Sequence, residues 1–328
     1  MPEPFRILVI RLSSFGDVIH ALPAAASLKH SFPQSRLAWV VKPRWAPLLE
    51  GNPYVDEIVP FERTASGIVA LRRRLRAETF DVVVDFQGLI QSAVVAAMAR
   101  GHKVVGLARS QARESLAALF YSTAVRTTAA HRVDQNLEIA SAAGASSLLR
   151  TFPLPPGAPE GDLPPSPFVL ACPLAGWKWK QWPLDRYADL ARQLQREAGV
   201  PLVVNGPPES AAILDQIDGA IPHYSGLRGL IDATHRATAI VGVDSGPMHL
   251  AAALSKPGVA IFGPTDPASH GPYGGSLHVL RDPGAKTAYK RRDEENPSMR
   301  AITVDQVAEH LAKALRSAQR VASAPPPA

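Results

Sequence analysis

Runs of consecutive apolar residues alternate along this chain with stretches whose apolar positions recur every three or four residues. Phe5–Leu12 is such a run, broken only by Arg6 and Arg11, and predicts a strand buried on both faces. Residues 16–30 follow with Val18, Leu22, Ala25 and Ala26 at helical spacing. The same alternation predicts strands at Leu37–Val41, Glu57–Phe61, Phe80–Phe86 and Lys103–Leu107, and helices at Arg72–Glu78, Leu89–Arg100 and Val133–Ala143. It then restarts, with strands at Phe168–Cys172, Leu202–Asn205, Ala239–Val243 and Val259–Phe262. Helices are predicted at Leu184–Arg196, Glu209–Ile217, Leu227–Arg236, Met248–Leu254 and Val304–Ala318. Strands alternating with helices of this length imply βαβ units and parallel sheets.

Between the two halves, residues 153–167 read PLPPGAPEGDLPPSP. Neither a helix nor a central strand accommodates that composition, so a stiff, extended connector is expected. The expected organisation is a domain at 1–152, a Pro-rich linker at 153–167 and a domain at 168–328. Both domains are read as doubly wound α/β units facing a cleft. In such units ligands bind at the carboxyl ends of the strands, near helix N-termini. The tail SAPPPA is expected to fray.

Composition narrows the class. The chain has 328 residues, 46% hydrophobic and 20% charged, ordinary values for a soluble globular protein of two domains. Charge or proline breaks every apolar run well before the roughly 18 residues that would span a membrane, and no secretory signal is expected at the N-terminus. The single cysteine, Cys172, excludes an intramolecular disulfide and a cysteine-built zinc site, and fits a reducing cytosol. The formal charge of +6 divides as +4 over residues 1–165 and +2 over 166–328. This mild excess points to an anionic partner, whether phosphate, nucleic acid or an acidic membrane surface.

Five segments carry candidate chemistry. In RLSSFGDVIHALP, residues 11–23, a buried strand runs into a helix through Ser13, Ser14, Gly16 and Asp17. Small residues there let backbone N–H groups approach a ligand. Ser14 or Asp17 as a simple helix cap is the plainer reading, and Asp17 as a general base is the functional one. In VGVDSGPMHLAAAL, residues 241–254, followed by FGPTDP, the same strand–turn–helix pattern aims the N–H groups of Ser245 and Gly246 at an anion. Pro247 suits the first helical turn, and His249 sits one turn in, within reach of a phosphate or packed as a core histidine. In GWKWKQWPLDRY, residues 176–187, Lys178 and Lys180 lie among aromatic residues. They suit a diphosphate as point charges, or form a solvated loop with Trp182 tucked into the core. In NGPPES, Glu209 just past a strand end serves equally as a ribose contact or as a helix-dipole charge. Arg63, Arg72, Arg73, Arg74 and Arg76, with Arg113 beyond, read as a solvated helix face unless an anion claims them.

Several signatures are missing. No GxGxxG and no GxxxxGK[ST] is present, which weakens a dehydrogenase reading and excludes a P-loop NTPase. No Asp-x-Asp and no HExxH occurs, so no metal site and no metal cofactor is expected.

Together these motifs resemble the ADP-heptose glycosyltransferases of lipopolysaccharide core assembly, glycosyltransferase family 9. RLSSFGDVIH is similar to the family's N-terminal signature, KQWP and VDSGPMHLAAAL to its two donor motifs, and GPTDP follows in place. ARESLAALFY, residues 112–121, further resembles the heptosyltransferase I subtype. The resemblance implies a GT-B fold of two Rossmann-like domains, the acceptor on the first and the nucleotide sugar on the second. The C-terminal helix is a candidate to pack back on the first domain. The implied reaction is an inverting, metal-independent transfer from ADP-L-glycero-β-D-manno-heptose to the Kdo region of Kdo2-lipid A. By resemblance Asp17 is the catalytic base. Lys180, Glu209, Leu227, Asp244, Ser245, Gly246 and His249 meet the donor, and Ser14, Gly16, Arg63, Arg73 and Arg113 meet the acceptor. The implied setting is cytoplasmic, with peripheral contact at the inner membrane and no nucleic acid.

Two departures from the pattern stand out. Ala175 and Gly176 replace hydroxyl residues common in the first subtype, which leaves phosphate contacts there to backbone N–H groups. The segment RRDEENPSMRAITV, residues 291–304, resembles a pattern found elsewhere in the family. The competing readings are a heptosyltransferase II acting on a heptosylated acceptor, a GT-B-like nucleotide-sugar epimerase and a basic nucleic-acid-binding protein.

Overall fold

The computed structural model describes residues 4–288, 290 and 292–322, with side chains to 318. The tail SAPPPA and Arg291, the first residue of the C-terminal motif, lie outside the described residues.

The chain divides into two units, residues 1–155 and 156–328. In the first, six strands form one parallel sheet: β1 (Arg6–Ile10), β2 (Arg36–Val41), β3 (Glu57–Pro60), β4 (Thr79–Asp85), β5 (Arg100–Leu107) and β6 (Thr123–Val125). Their order is β3-β2-β1-β4-β5-β6. The helices are α1 (Phe15–Ser31), α2 (Ala65–Arg76), α3 (Ile90–Met98) and α4 (Arg132–Ala143). The apolar runs form the central strands because both faces are covered: Leu8, Ile10, Val40 and Val83 are fully buried.

The second unit repeats the plan with β7 (Val169–Cys172), β8 (Leu202–Gly206), β9 (Ile221–Tyr224), β10 (Ala239–Val243), β11 (Gly258–Phe262) and β12 (Leu277–Arg281). The order β9-β8-β7-β10-β11-β12 has the connectivity of the first sheet. Its helices are α5 (Leu184–Ala198), α6 (Ala211–Leu214), α7 (Leu227–Arg236), α8 (Gly246–Ala253), α9 (Pro267–His270), α10 (Pro297–Ala301) and α11 (Val304–Ala322). At the start of β11, Gly258 has φ +154°, and a Cβ there would lie 1.9 Å from the Ile240 carbonyl oxygen, so only glycine lets β11 approach β10 this closely.

Three short strands, β6, β9 and β12, were not anticipated. Each lies at a sheet edge or is half exposed, so its apolar signal is weak. The helix expected at Glu209–Ile217 is instead a 3-10 turn, Pro208–Ser210, and one α turn, α6. The proline pair at 207–208 starts it, and Asp215 and Gly219 follow it closely.

Most of the segment expected as a connector is fastened to the second unit. The Glu160 carboxylate accepts from the Gly226 and Gly229 N–H groups at the start of α7, at 2.5 and 3.1 Å. The Ala158 N–H donates to the Arg228 carbonyl at 3.1 Å. The C-terminal helix α11 packs on α5, β10 and β11 through buried Val307, Leu311 and Leu315, one helical stripe. Trp182 is fully buried in the same core and donates from its indole N–H to the Ile302 carbonyl at 3.0 Å. Tyr187 packs edge-on against it at 4.9 Å.

Candidate active site

In both sheets the strand order reverses direction at one pair, β1/β4 in the first and β7/β10 in the second. A crevice opens at the carboxyl ends of such a pair because the connections leave to opposite faces. Ser14 and Asp17 follow β1, and Asp244 and Ser245 follow β10, so each unit places one candidate motif at its reversal.

Ser14 is the residue before α1, Gly16 is buried in the first turn, and Asp17 lies in that same turn. Asp17 Oδ2 accepts from the Ser14 N–H at 3.0 Å and the Ser14 hydroxyl at 2.8 Å. Its other oxygen, Oδ1, pairs with the Arg11 guanidinium at 2.6 Å. Oδ2 thus serves the helix start, as the capping reading expects, while Oδ1 is held by Arg11. The side chain retains 28% exposure. Partial burial resists ionisation, but Arg11, the two bonds from Ser14 and nearby His20 outweigh it and hold the carboxyl well below the usual carboxylate range.

Arg11 is held by a second contact, to the Phe86 carbonyl. The turn carrying that carbonyl is organised by Asp85, fully buried at the end of β4 and in register with Ile10 of β1. Asp85 accepts from the Tyr121 hydroxyl at 2.7 Å and from the N–H groups of Gln87 at 2.8 Å and Gly88 at 3.3 Å. Gln87 in turn accepts from the Leu12 N–H at 2.8 Å. Burial raises the Asp85 pKa against these bonds. Arg11, Asp85, Gln87 and Tyr121 escaped the sequence reading. The available signal was a charged residue at the end of each of two buried apolar strands, which a purely structural strand has no reason to carry.

The basic residues fall in three groups. Arg63 follows β3 and Arg113 follows β5, each two strand spacings, about 10 Å, from β1 on opposite sides of Asp17. Both are exposed. The Arg113 backbone nitrogen lies 3.5 Å from where a Gly88 Cβ would be, so Arg113 adjoins the turn after β4. Arg73 instead lies in the last turn of α2, about 12 Å along the helix from its first residue, away from that edge. Arg74 is taken up by Glu57 and Glu78.

In the second unit Lys180, on a 3-10 turn after β7, reaches Asp244 Oδ2 at 2.5 Å, and its ammonium sits 4.6 Å over the Trp177 ring. The Thr265 hydroxyl of the FGPTDP turn donates to the same oxygen at 2.6 Å. His249 Nε2 stands 3.9 Å from Oδ1, in charge–charge range but past hydrogen-bonding distance. Burial again resists ionisation of Asp244, and Lys180, His249 and Thr265 prevail and lower its pKa. Ser245 precedes α8 and Gly246 begins it. The Ser245 hydroxyl is buried with no hydrogen-bond partner among the described residues.

Lys180, Asp244, Ser245, Gly246 and His249 thus converge. Glu209, exposed after β8, and Leu227, half-buried at the start of α7 after β9, lie along the same carboxyl edge, Leu227 about 14 Å from β10 at three strand spacings. Glu209 lies in the first turn of the 3-10 segment Pro208–Ser210, which leads into the one-turn α6. Among the described residues no group of three or more His, Cys, Asp or Glu is placed to hold a metal ion.

The model of glycosyltransferase family 9 (heptosyltransferase) matches residues 68–299. The chain belongs to glycosyltransferase family 9. It is 31% identical over 314 residues to lipopolysaccharide heptosyltransferase 1 of Pseudomonas aeruginosa, covering 84% of each chain. Against the same enzyme of Escherichia coli K12 it is 29% identical over 310 residues, covering 85% of this chain and 94% of the relative. Among solved structures, E. coli heptosyltransferase WaaC with ADP-2-deoxy-2-fluoro heptose superposes with a TM-score of 0.75 at 26% identity, covering 94% of this family member and 99% of that chain. E. coli heptosyltransferase II shares the fold, with a TM-score of 0.77 at 24% identity. The expected GT-B fold is shown by these likenesses. A glycosyltransferase of this family replaces the epimerase and nucleic-acid readings.

Proposed function

We propose that the chain transfers L-glycero-D-manno-heptose from ADP-heptose to the Kdo region of Kdo2-lipid A, with inversion, in lipopolysaccharide inner-core assembly. The observation that carries this is the Asp17 carboxylate, ionised and partly exposed in the first turn after β1. It is supported by the likeness to heptosyltransferase 1 relatives and to a solved complex with an ADP-heptose analogue.

Asp17 takes the proton of the acceptor hydroxyl as that oxygen bonds to the anomeric carbon and the bond from that carbon to the ADP oxygen breaks. A carboxylate held this low is a weak base. It accepts the proton late, when the attacking oxygen has become acidic through bond formation. Arg63 and Arg113 flank it to meet an anionic acceptor, with Ser14 and Gly16 at its turn; Arg73, at the far end of α2, stands apart from this acceptor site. Departing ADP gains negative charge. Lys180, the N–H groups at Ser245 and Gly246 and the unpartnered Ser245 hydroxyl meet it. Asp244 orients Lys180 and faces sugar hydroxyls, His249 supports it, Glu209 meets the ribose and Leu227 packs beside the nucleoside. No step calls for a metal.

The setting is the cytoplasmic face of the inner membrane, with the chain in peripheral contact. No helix among the described residues is long and apolar enough to cross a membrane.

Transfer from ADP-heptose to Kdo2-lipid A and to its heptosylated form, assayed side by side by mass, tests the acceptor. Preference for the second acceptor makes the chain a heptosyltransferase II. Asp17→Ala is expected to slow turnover about 10²–10⁴-fold with ADP-heptose binding retained. Loss of donor binding with activity removes Asp17 from the base role.

A further inference from the structure

The described residues expose ten large apolar side chains, and seven of them fall between positions 68 and 120. Three neighbouring elements of the first unit carry them. On α3 the outward stripe is wholly apolar, Ile90, Val94 and Ala97 at spacings of four and three. Beside it the 3-10 segment Ser115–Phe120 packs through Ala117 against Ala93 of α3 and turns Leu116, Leu119 and Phe120 outward. On the other neighbour, α2, Val69 is 67% exposed, and Leu119 reaches 72%. Scattered single apolar residues need no explanation, but a cluster on adjoining elements does.

The same stretch is the basic part of the chain. Residues 62–120 hold nine Lys and Arg against five Asp and Glu, a net +4 of the total +6. Of those acids Asp85 is buried and engaged with Tyr121, and Glu114, though exposed, accepts from the Ile90 N–H. Arg72, Arg73 and Arg76 of α2 are exposed and have no ion-pair partner among the described residues.

We propose that this face, α2, α3 and Ser115–Phe120, docks on an anionic lipid bilayer. Aliphatic side chains enter the headgroup–acyl boundary while the arginines meet lipid phosphates. A protein interface core is depleted in charge and rich in aromatics. Here the apolar residues are nearly all aliphatic and lie among guanidinium groups. The proposal rests on the membrane-held acceptor of the proposed function for its purpose, but neither its observations nor its lipid test involves an acceptor.

The test is flotation of the full chain with equimolar phosphatidylcholine–phosphatidylglycerol vesicles, with pure phosphatidylcholine as comparison, in parallel with light scattering. The wild type is expected to float with the anionic vesicles, less with the neutral ones, and to release as salt rises. Combined Val69→Ser, Leu116→Ser and Leu119→Ser is expected to bind about tenfold or more weakly. Turnover on a deacylated, water-soluble acceptor should be unchanged, because all three side chains are already largely exposed. Equal binding by wild type and variant, or no preference for anionic vesicles, overturns the proposal. So does a wild-type dimer that the substitutions dissociate while lipid binding is absent, since the face is then a self-contact. If the deacylated acceptor is used by neither protein while the vesicle difference persists, the docking face stands and the acceptor assignment falls.

Discussion

Replacing Tyr121 by Phe removes one hydroxyl from a fully buried carboxylate and little else. The ring sits against Gly106, where a Cβ would come within 2.4 Å of it, so β5 leaves room for the ring and Phe keeps its place. Asp85 loses the 2.7 Å bond from the phenol and keeps the N–H groups of Gln87 and Gly88. Burial, then the neighbouring Asp85, raises the Tyr121 pKa, so the phenol remains a donor at all working pH values. A hydrogen bond to a buried charged group is worth about 2 kcal/mol, or about 4–8 °C in Tm for a domain of this size.

The pH dependence gives the sharper readout. The folded pKa of Asp85 is raised above its unfolded value, so its contribution is favourable in acid and is lost as pH rises through the folded pKa. Removing the phenol raises that pKa further. The deficit of Tyr121→Phe is therefore small in acid and widens toward neutral pH. Thermal melts of both proteins, started below the ordinary carboxylate pKa and carried upward in pH, measure it. Because Asp85 shapes the turn that receives Arg11 and Leu12, kcat is also expected to fall several-fold with the donor KM unchanged. A Tm deficit independent of pH, or no deficit, refutes the reasoning.

Two further substitutions probe the two reversal points. Ser245→Ala removes a buried hydroxyl without a partner among the described residues, so Tm is expected to hold or rise slightly while ADP affinity, measured by calorimetry, drops about fivefold, the worth of one hydrogen bond near 1 kcal/mol. A lower Tm with unchanged ADP affinity would make Ser245 structural. Arg11→Met leaves burial of Asp17 less opposed, so the Asp17 pKa rises and the acid limb of kcat/KM moves to higher pH. Because the folded pKa of Asp17 is depressed, the stability lost in this variant is present at neutral pH and vanishes as pH falls through the wild-type folded pKa. Coincident acid limbs in the two proteins would show that Arg11 does not set the charge of Asp17.

Much of the molecule was legible along the chain. The central strands β1, β4, β7, β8, β10 and β11 appear as apolar runs because a parallel sheet buried on both faces admits little else. The turns after β1 and β10 were visible as small residues between a strand and a helix, a pattern with local causes in backbone geometry and capping. Trp182 shows the limit of that reading. Its neighbours suggested a ligand loop or a core anchor, and its indole bond to Ile302, 120 residues away, places it in the core.

What the sequence determined by itself is whatever depends on neighbours along the chain: two parallel α/β units, the strand-to-helix turns, and Asp17 and Ser245 at helix starts. The tertiary structure alone decided which charge meets which. Asp17 is tied to Arg11, Arg11 to the carbonyl after β4, Asp85 to Tyr121, and Lys180 to Asp244 across 64 residues. It also decided that Arg74 is spent inside the fold while Arg72, Arg73 and Arg76 face solvent beside exposed aliphatic side chains. The reason is physical. Periodicity and turn chemistry act within a few residues, whereas a side chain's charge state depends on burial and on partners that only strand order and register bring within a few ångströms.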